Sequence, residues 1–276
     1  LCQYPAGKSD CGAAQPRYEA REIAMSHVNG KRVIVTGGAS GMGDAVVRDL
    51  CSHGARVASL DVNADDGRRV ADEAGAHFVP CDITGASSVQ EAVAAAASQL
   101  GGLDALVHAA GIAPGAPAEE IDLAQWDQVF AVNARGTFLI NRAVFPLLKD
   151  EGGRIINFAS SAGLLGYPGK AAYAAAKGAV VAWIRTIAHE WGRYGITVNA
   201  IAPAISTPMY LKTRSLMSPE QLNEHEQMLA RDLPLGGRLG DPVRDLAPVI
   251  RFLVSEDSRF ITGQTIAVDG GILKVR

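Results

Sequence analysis

"KRVIVTGGASGMGDAVVRDL", residues 31–50, runs an apolar β-branched segment straight into a glycine-rich turn and then into a helical pattern. Residues 32–36 carry Val, Ile and Val without polar alternation, as a strand buried on both faces does. From Asp44 onward the apolar residues recur at helical spacing. The turn between them reads Thr36-Gly37-x-x-x-Gly41-x-Gly43. Glycines there let the chain reverse sharply and let a pyrophosphate approach the backbone amides, while the next helix offers its positive N-terminal end. A glycine triad alone is weak grounds, but strand, triad and helix in succession point to a dinucleotide site. Gly37, Ser40, Gly41, Met42 and Gly43 form its expected cradle.

The second strand pattern, "RVASLD", ends in Asp61, 18 residues after Gly43. A carboxylate at that place accepts hydrogen bonds from the adenosine ribose hydroxyls and repels a 2′-phosphate. Neither Ala39 and Ser40 in the turn nor Val62 and Asn63 after the strand supplies a compensating cation. The expected cofactor is therefore NAD rather than NADP.

Further β-branched runs follow: "HFVPCD", "ALVHAAG", "RIINFAS", "TVNAIAP" and "TIAVDGG". They alternate with helical stretches such as "SVQEAVAAAASQLG" and "AAYAAAKGAVVAWIRTIAHEWG". Strand–helix alternation predicts right-handed crossovers and a parallel sheet covered on both sides. The expected fold is α/β: one doubly wound Rossmann domain with about seven parallel strands and helices on both faces.

Composition narrows the function classes. The 276 residues are 48% hydrophobic and 20% charged, with a formal net charge of −3 and no Lys/Arg run. That pattern argues against a nucleic-acid or membrane-surface partner. No segment is long and apolar enough to span a bilayer. The six histidines and four cysteines are not in metal-ligand spacing, so no metal is expected. Cys51 and Cys81 read as reduced, buried small residues, and a cytoplasmic location follows by default. Residues 1–24 lack periodicity and precede Met25; they read as an expression tag, an upstream extension or an arm packing on a neighbouring subunit. The catalytic domain is expected over residues 25–276.

"YAAAK", residues 173–177, sets a tyrosine and a lysine four apart in an alanine-rich helical stretch, stacked on one face. The plain interpretation is a packed aromatic and a solvated lysine. Next to a nicotinamide the pair gains a chemical use. A free phenol has a pKa of roughly 10. An ammonium about 4 Å away contributes roughly 4 kcal/mol at an effective dielectric near 20, about three pKa units toward phenolate. Tyr173 is then the acid/base for an alcohol–ketone interconversion and Lys177 its activator. Ser160, at the end of "INFAS" and 13 residues before Tyr173, is placed to bond the substrate oxygen, with Ser161 as the alternative.

These features resemble the short-chain dehydrogenase/reductase family over about Gly30 to Gly271. The motifs are "TGGASGMG", "YAAAK", the upstream serine and the asparagine of "FAVNARG". The resemblance implies that Ser160, Tyr173 and Lys177 are catalytic and that Asn133 completes a tetrad by holding a water linked to Lys177. It also implies that Lys177 and Tyr173 contact the cofactor, that Asp82 and Ile83 flank the adenine, and that Ile205 and Thr207 meet the nicotinamide carboxamide. Two departures stand out. "HAAG", residues 108–111, replaces a motif of two asparagines, alanine and glycine, keeping ribose contacts at Ala109 and Gly111 but losing an amide brace. His108 there reads as a packed histidine in preference to a replacement brace. "PAIST", residues 203–207, lacks the usual glycine and is one residue short, which bears on the contacts of Pro203 and Ile205.

Residues 207–236 are expected to form a substrate lid, with Met209, Tyr210, Leu211, Met217, Leu222, Met228 and Leu229 available to line a pocket. That lining points to a neutral, hydrophobic or cyclic alcohol or ketone; Lys212 and Arg214 leave an acidic substrate as the lesser option. The alanine-rich helix is apolar on more than one face and, with the family's habit, predicts a homotetramer. The expected function is an NAD-dependent secondary alcohol dehydrogenase or carbonyl reductase. A β-ketoacyl thioester reductase and a non-catalytic nucleotide-binding regulator are the alternatives.

Overall fold

Seven parallel strands form one sheet in the order β3-β2-β1-β4-β5-β6-β7 in the computed structural model, which describes residues 27–273. Residues 1–24, Met25, Cys2 and Cys11 lie outside the described residues. The strands are β1 Arg32–Thr36, β2 Arg56–Asp61, β3 His77–Pro80, β4 Ala105–His108, β5 Gly153–Phe158, β6 Ile196–Pro203 and β7 Thr265–Val268. All seven expected runs form strands. The order reverses between β1 and β4, and a crevice opens there at the carboxyl ends of the strands.

Helices α1 Gly41–Ser52, α2 Ala64–Ala74, α3 Ala86–Leu100, α4 Leu123–Phe130 and α5 Gly136–Leu148 fill the first half. They are followed by α6 Ala162–Leu165, α7 Ala171–Trp191, α8 Pro208–Ser215, α9 Pro219–Asp232 and α10 Ala247–Val254. Each face of the sheet has its own apolar core. On one side Ile34 and Leu106 pack with Val93 and Leu100 of α3, Ile140 of α5 and Ile184 of α7. On the other, Val33, Val35 and Val107 pack with Val46 and Leu50 of α1 and Ile250 of α10. Successive β1 residues thus serve opposite cores, which explains the unbroken apolar run.

Among the described residues, one π-helical turn, Ala131–Arg135, joins α4 to α5, and another, Pro242–Leu246, leads into α10. The first carries Asn133 between α4 and α5. A buried reciprocal amide pair joins α5 to β5: Asn141 Nδ2 donates to Asn157 Oδ1 at 2.9 Å, and Asn157 Nδ2 returns to Asn141 Oδ1 at 3.1 Å. Among the described residues, no helix is long and apolar enough to cross a membrane.

Candidate active site

The turn after β1 is built so tightly that only glycine fits at two of its positions. Gly37 has φ +72, and a Cβ there would lie 2.7 Å from the Ala110 nitrogen. A Cβ on Gly43 would lie 2.0 Å from the Gly37 carbonyl oxygen. The first turn of α1 therefore closes directly against the end of β1. An open cleft of about 360 Å³ lies over this turn, lined by Gly37, Ser40, Gly41, Met42 and Gly43. The same cleft is lined by Asp61, Asp82, Ile83, Ala109, Gly111 and Thr207. The size suits part of an extended dinucleotide, and the glycine cradle fits a pyrophosphate.

Both acids on the cleft are oriented by backbone amides. Asp61 accepts from Ala39 N at 3.0 Å through Oδ2 and from Asn63 N at 2.9 Å through Oδ1. Asp82 Oδ1 accepts from Thr84 N at 2.9 Å and Thr84 Oγ1 at 2.7 Å, and these bonds hold its carboxyl below the usual carboxylate range.

A smaller cavity of about 110 Å³ adjoins the cleft and shares Met42, Ala109, Gly111, Ile112 and Met209 with it. Its wall contains Asn133, Ser160, Tyr173, Lys177 and Pro203, with apolar Phe158 and Ala159. Residues from a π-turn, a strand end and α7 thus meet in one space. A Cβ added to Gly111 would approach Asn133 Oδ1 to 2.8 Å and Lys177 Nζ to 3.5 Å, which places those two groups around one point. Asn133 is fully buried; its Nδ2 donates to the carbonyls of Ile112 at 2.9 Å and Val129 at 3.1 Å. The two candidate serines separate clearly. Ser160 lines the cavity, whereas Ser161 is buried and its Oγ accepts from the Tyr167 hydroxyl at 3.1 Å.

The electrostatics differ from the expected pairing. Lys177 is 4% exposed and donates to the Phe158 carbonyl at 2.7 Å, with Nζ 5.8 Å from the Tyr173 ring centroid. Helical stacking brings the side chains alongside, but the longer lysine reaches past the ring to the strand carbonyl. Burial lowers the Lys177 ammonium to about 8. Burial also raises the Tyr173 phenol, outweighing the Ser160 hydroxyl that lowers it. The expected depression of the tyrosine pKa gives way to a rise, because desolvation of the phenolate dominates.

Two further expectations need correction. His108 is not merely packed: its Nδ1 lies 2.7 Å from Thr36 Oγ1 and its Nε2 3.0 Å from Thr137 Oγ1, so it braces β1 and α5. Burial and the Lys177 charge hold its pKa at about 3. The Ile205 side chain turns away from the cleft into the core with Leu246 and Ile250, paired as an isolated bridge with Gly240. A contact from Ile205 toward a nicotinamide is therefore not made by its side chain. Thr207 stays on the cleft and caps α8, accepting from Tyr210 N at 3.3 Å. Of the expected lid residues, Met209 reaches both spaces, whereas Tyr210, Leu211 and Leu229 line a separate cleft with Arg214 and Glu226.

The family model described as "Enoyl-(Acyl carrier protein) reductase" matches residues 37–273. The chain belongs to the short-chain dehydrogenase/reductase family. It is 36% identical to 2-(S)-hydroxypropyl-CoM dehydrogenase 3 of Xanthobacter autotrophicus, over 88% of this chain and 96% of that protein. It is 36% identical to D-threitol dehydrogenase of Mycolicibacterium smegmatis, over 92% and 98%. It is 37% identical to cyclopentanol dehydrogenase of Comamonas sp., over 90% and 98%. A crystal structure described as ribose-5-phosphate isomerase from Brucella melitensis superposes with a TM-score of 0.83 at 31% identity, covering 91% of this chain and 95% of that one. This chain is thus a dehydrogenase of the family, an oxidoreductase interconverting secondary alcohols and ketones with a nicotinamide cofactor.

Proposed function

We propose that the protein oxidises a neutral, hydrophobic or cyclic secondary alcohol with NAD, and reduces the corresponding ketone with NADH. The observation that carries this is the meeting of Ser160, Tyr173, Lys177 and Asn133 in one small apolar cavity that opens onto the glycine-turn cleft. A nicotinamide cofactor held in that cleft by the glycine turn would supply or accept the hydride. The Ser160 hydroxyl donates to the substrate oxygen and orients it. Tyr173 takes the alcohol proton in oxidation and returns it in reduction. Its raised pKa keeps the phenol protonated at neutral pH, which suits donation to a ketone. Lys177, buried beside Tyr173 on the same cavity wall, adds positive charge near the phenol below about pH 8 and is placed to hold the nicotinamide ribose. Asn133 braces the loop at Ile112 that walls the cavity.

The preference for NAD rests on Asp61, whose carboxylate lies on the cleft where a 2′-phosphate would meet like charge. Gly37, Ser40, Gly41, Met42 and Gly43 hold the pyrophosphate. Asp82 and Ile83 flank the adenine, and Ala109 and Gly111 face the ribose. Pro203 and Thr207 approach the carboxamide. Residues 207–236, comprising α8 and α9, act as the substrate lid through Met209. Exposed small residues along α7, including Ala175, Ala179 and Ala182, support close packing of that helix against a second subunit within a homotetramer. The free thiols of Cys51 and Cys81 fit a reducing, cytoplasmic setting.

The cavity's Ile112, Phe158, Ala159 and Met209 favour an apolar ring. Relatives named for cyclopentanol and trans-4-hydroxycyclohexanecarboxylate agree with a cyclic substrate. Lys170 favours a second substrate class, alcohols bearing a carboxylate. Its Nζ donates to the Ala113 carbonyl at 2.6 Å beside the cavity, and a substrate carboxylate there would offset the burial that disfavours its charge. Arg214, by contrast, is engaged by Glu226.

The test is formation of NADH from NAD, and of NADPH from NADP, with cyclopentanol, cyclohexanol and trans-4-hydroxycyclohexanecarboxylate. Turnover faster with NAD, and lost in Ser160→Ala, is expected. No turnover on any alcohol, or a preference for NADP, would sink the proposal. Selective loss of the carboxylate substrate in Lys170→Gln would establish the second class.

A further inference from the structure

Three buried side chains, Thr36, His108 and Thr137, form a hydrogen-bond chain beneath the cleft whose direction can be deduced from its ends. Thr137 Oγ1 donates to the Asn133 carbonyl at 2.7 Å. A hydroxyl has one proton, so toward His108 the Thr137 oxygen only accepts, and His108 Nε2 must carry the ring hydrogen. At the other end the Ala110 N–H donates to Thr36 Oγ1 at 3.3 Å, leaving the Thr36 proton for His108 Nδ1. Each hydroxyl then donates once and accepts once, as buried polar groups require.

The ends of the chain explain its use. Ala110 borders the cleft between Ala109 and Gly111. Asn133 sits in the π-turn, where Gly136 N–H reaches back to the Ala131 carbonyl. Within that turn the Asn133 carbonyl is met by the Thr137 side chain. The Asn133 side chain in turn holds Ile112, and its Oδ1 shares the space near Gly111 with Lys177 Nζ.

We propose that His108 is a positioning residue, fixed as the neutral Nε2–H tautomer, that locks the Ala110 amide to the Asn133 turn and so sets the geometry around Lys177. Its kinetic consequence rests on the dehydrogenase mechanism proposed above; the tautomer does not. Lys177 is the charged group that acts on the ring, and with burial it opposes imidazolium formation. Positioning of this kind matters because a displacement of about 1 Å costs up to about 100-fold in rate.

The experiment uses the full chain with 15N-labelled histidine, the His108 ring signals being assigned by their loss in His108→Gln. A neutral Nε2–H ring, unchanged from about pH 6 to about pH 9, is expected; the Nδ1–H form or an imidazolium overturns the proposal. In parallel, Thr137→Val, which keeps the shape and removes the hydroxyl, is expected to lower kcat about 10- to 100-fold. The KM values should stay within about threefold, and Thr137→Ser should restore the rate. An unchanged kcat in Thr137→Val, or an equal loss in Thr137→Ser, also overturns it. Should Thr137→Val not fold, the ring spectra and the serine variant still decide. If the wild-type protein turns over no alcohol, the proposed mechanism fails while the ring tautomer still answers the question about His108.

Discussion

Lys177 Nζ donates to the carbonyl of Phe158, the last residue of β5, at 2.7 Å, pinning the N-terminal third of α7 to the strand end that leads to Ser160. The buried ammonium titrates at about 8 rather than 10.5. Below about pH 8 the folded protein bears the full cost of charging this group, about 3 kcal/mol. Between about pH 8 and 10.5 the unfolded chain binds more protons at this site, so its contribution to stability rises with pH. Lys177→Met removes that cost and a hydrogen bond worth about 1 kcal/mol. The cofactor-free variant should therefore be more stable than wild type by about 1–2 kcal/mol at pH 7, although inactive. Urea unfolding at pH 7 and near pH 10 checks this, the gap closing at the higher pH. Comparing the pair also cancels the opposing titration of Cys51 and Cys81, whose thiols are raised to about 11 by burial.

Tyr173→Phe keeps the ring that packs with Val129 and Ala176 and removes only the hydroxyl. The expected loss in kcat is about 10²- to 10⁴-fold, the contribution of a positioned acid/base. NADH affinity, followed by fluorescence titration, should change little. Ordinary turnover in this variant would remove Tyr173 from the chemistry.

The direction of the Tyr173 shift sets the pH dependence. A phenol raised above 10.0 is protonated across the neutral range. Alcohol oxidation should accelerate as pH rises into the alkaline range, and ketone reduction should hold level at neutral pH and decline there. Opposite slopes for the two directions, measured at saturating substrates, are the expected result.

Asp61→Asn keeps an acceptor for the Ala39 amide and discards the charge. The ratio of kcat/KM for NAD over NADP should fall by about tenfold, since repulsion of a 2′-phosphate is lost. A ratio that does not move would mean that the carboxylate does not face the ribose.

Gly43→Ala would set a Cβ 2.0 Å from a backbone carbonyl that cannot step aside. The turn must open, so cofactor binding should be abolished. Thermal unfolding should show a loss of several degrees, consistent with a core overpacking cost of about 1–3 kcal/mol. Gly75→Ala, in open space but at φ +75, isolates the cost of backbone strain alone.

Much of this was legible in the chain because strand burial on two faces writes itself as unbroken apolar runs, as in Val33–Val35 and Ala105–Val107. The cleft residues were legible for a different reason: close backbone approach at Gly37 and Gly43 admits one residue type. The brace at His108 was not, because its partners Thr36 and Thr137 lie 72 and 29 residues away and no local period marks them. Nor does sequence spacing reveal that Lys177 reaches past Tyr173 to a strand carbonyl. Four-residue helical spacing fixes where side chains start, not where a long one ends. The π-turn around Asn133 adds no residue type that an ordinary helix would refuse. Nor does "PAIST" itself tell that Ile205 packs into the core with Leu246 and Ile250, partners about 40 residues further along the chain.

Met209, on the exposed helix α8, walls the larger cleft and the smaller cavity alike. The two spaces therefore share a wall at this thioether. A side chain bounding both spaces ties the width of one to the width of the other. Trimming that wall should widen the range of rings accepted and at the same time loosen the grip on the dinucleotide.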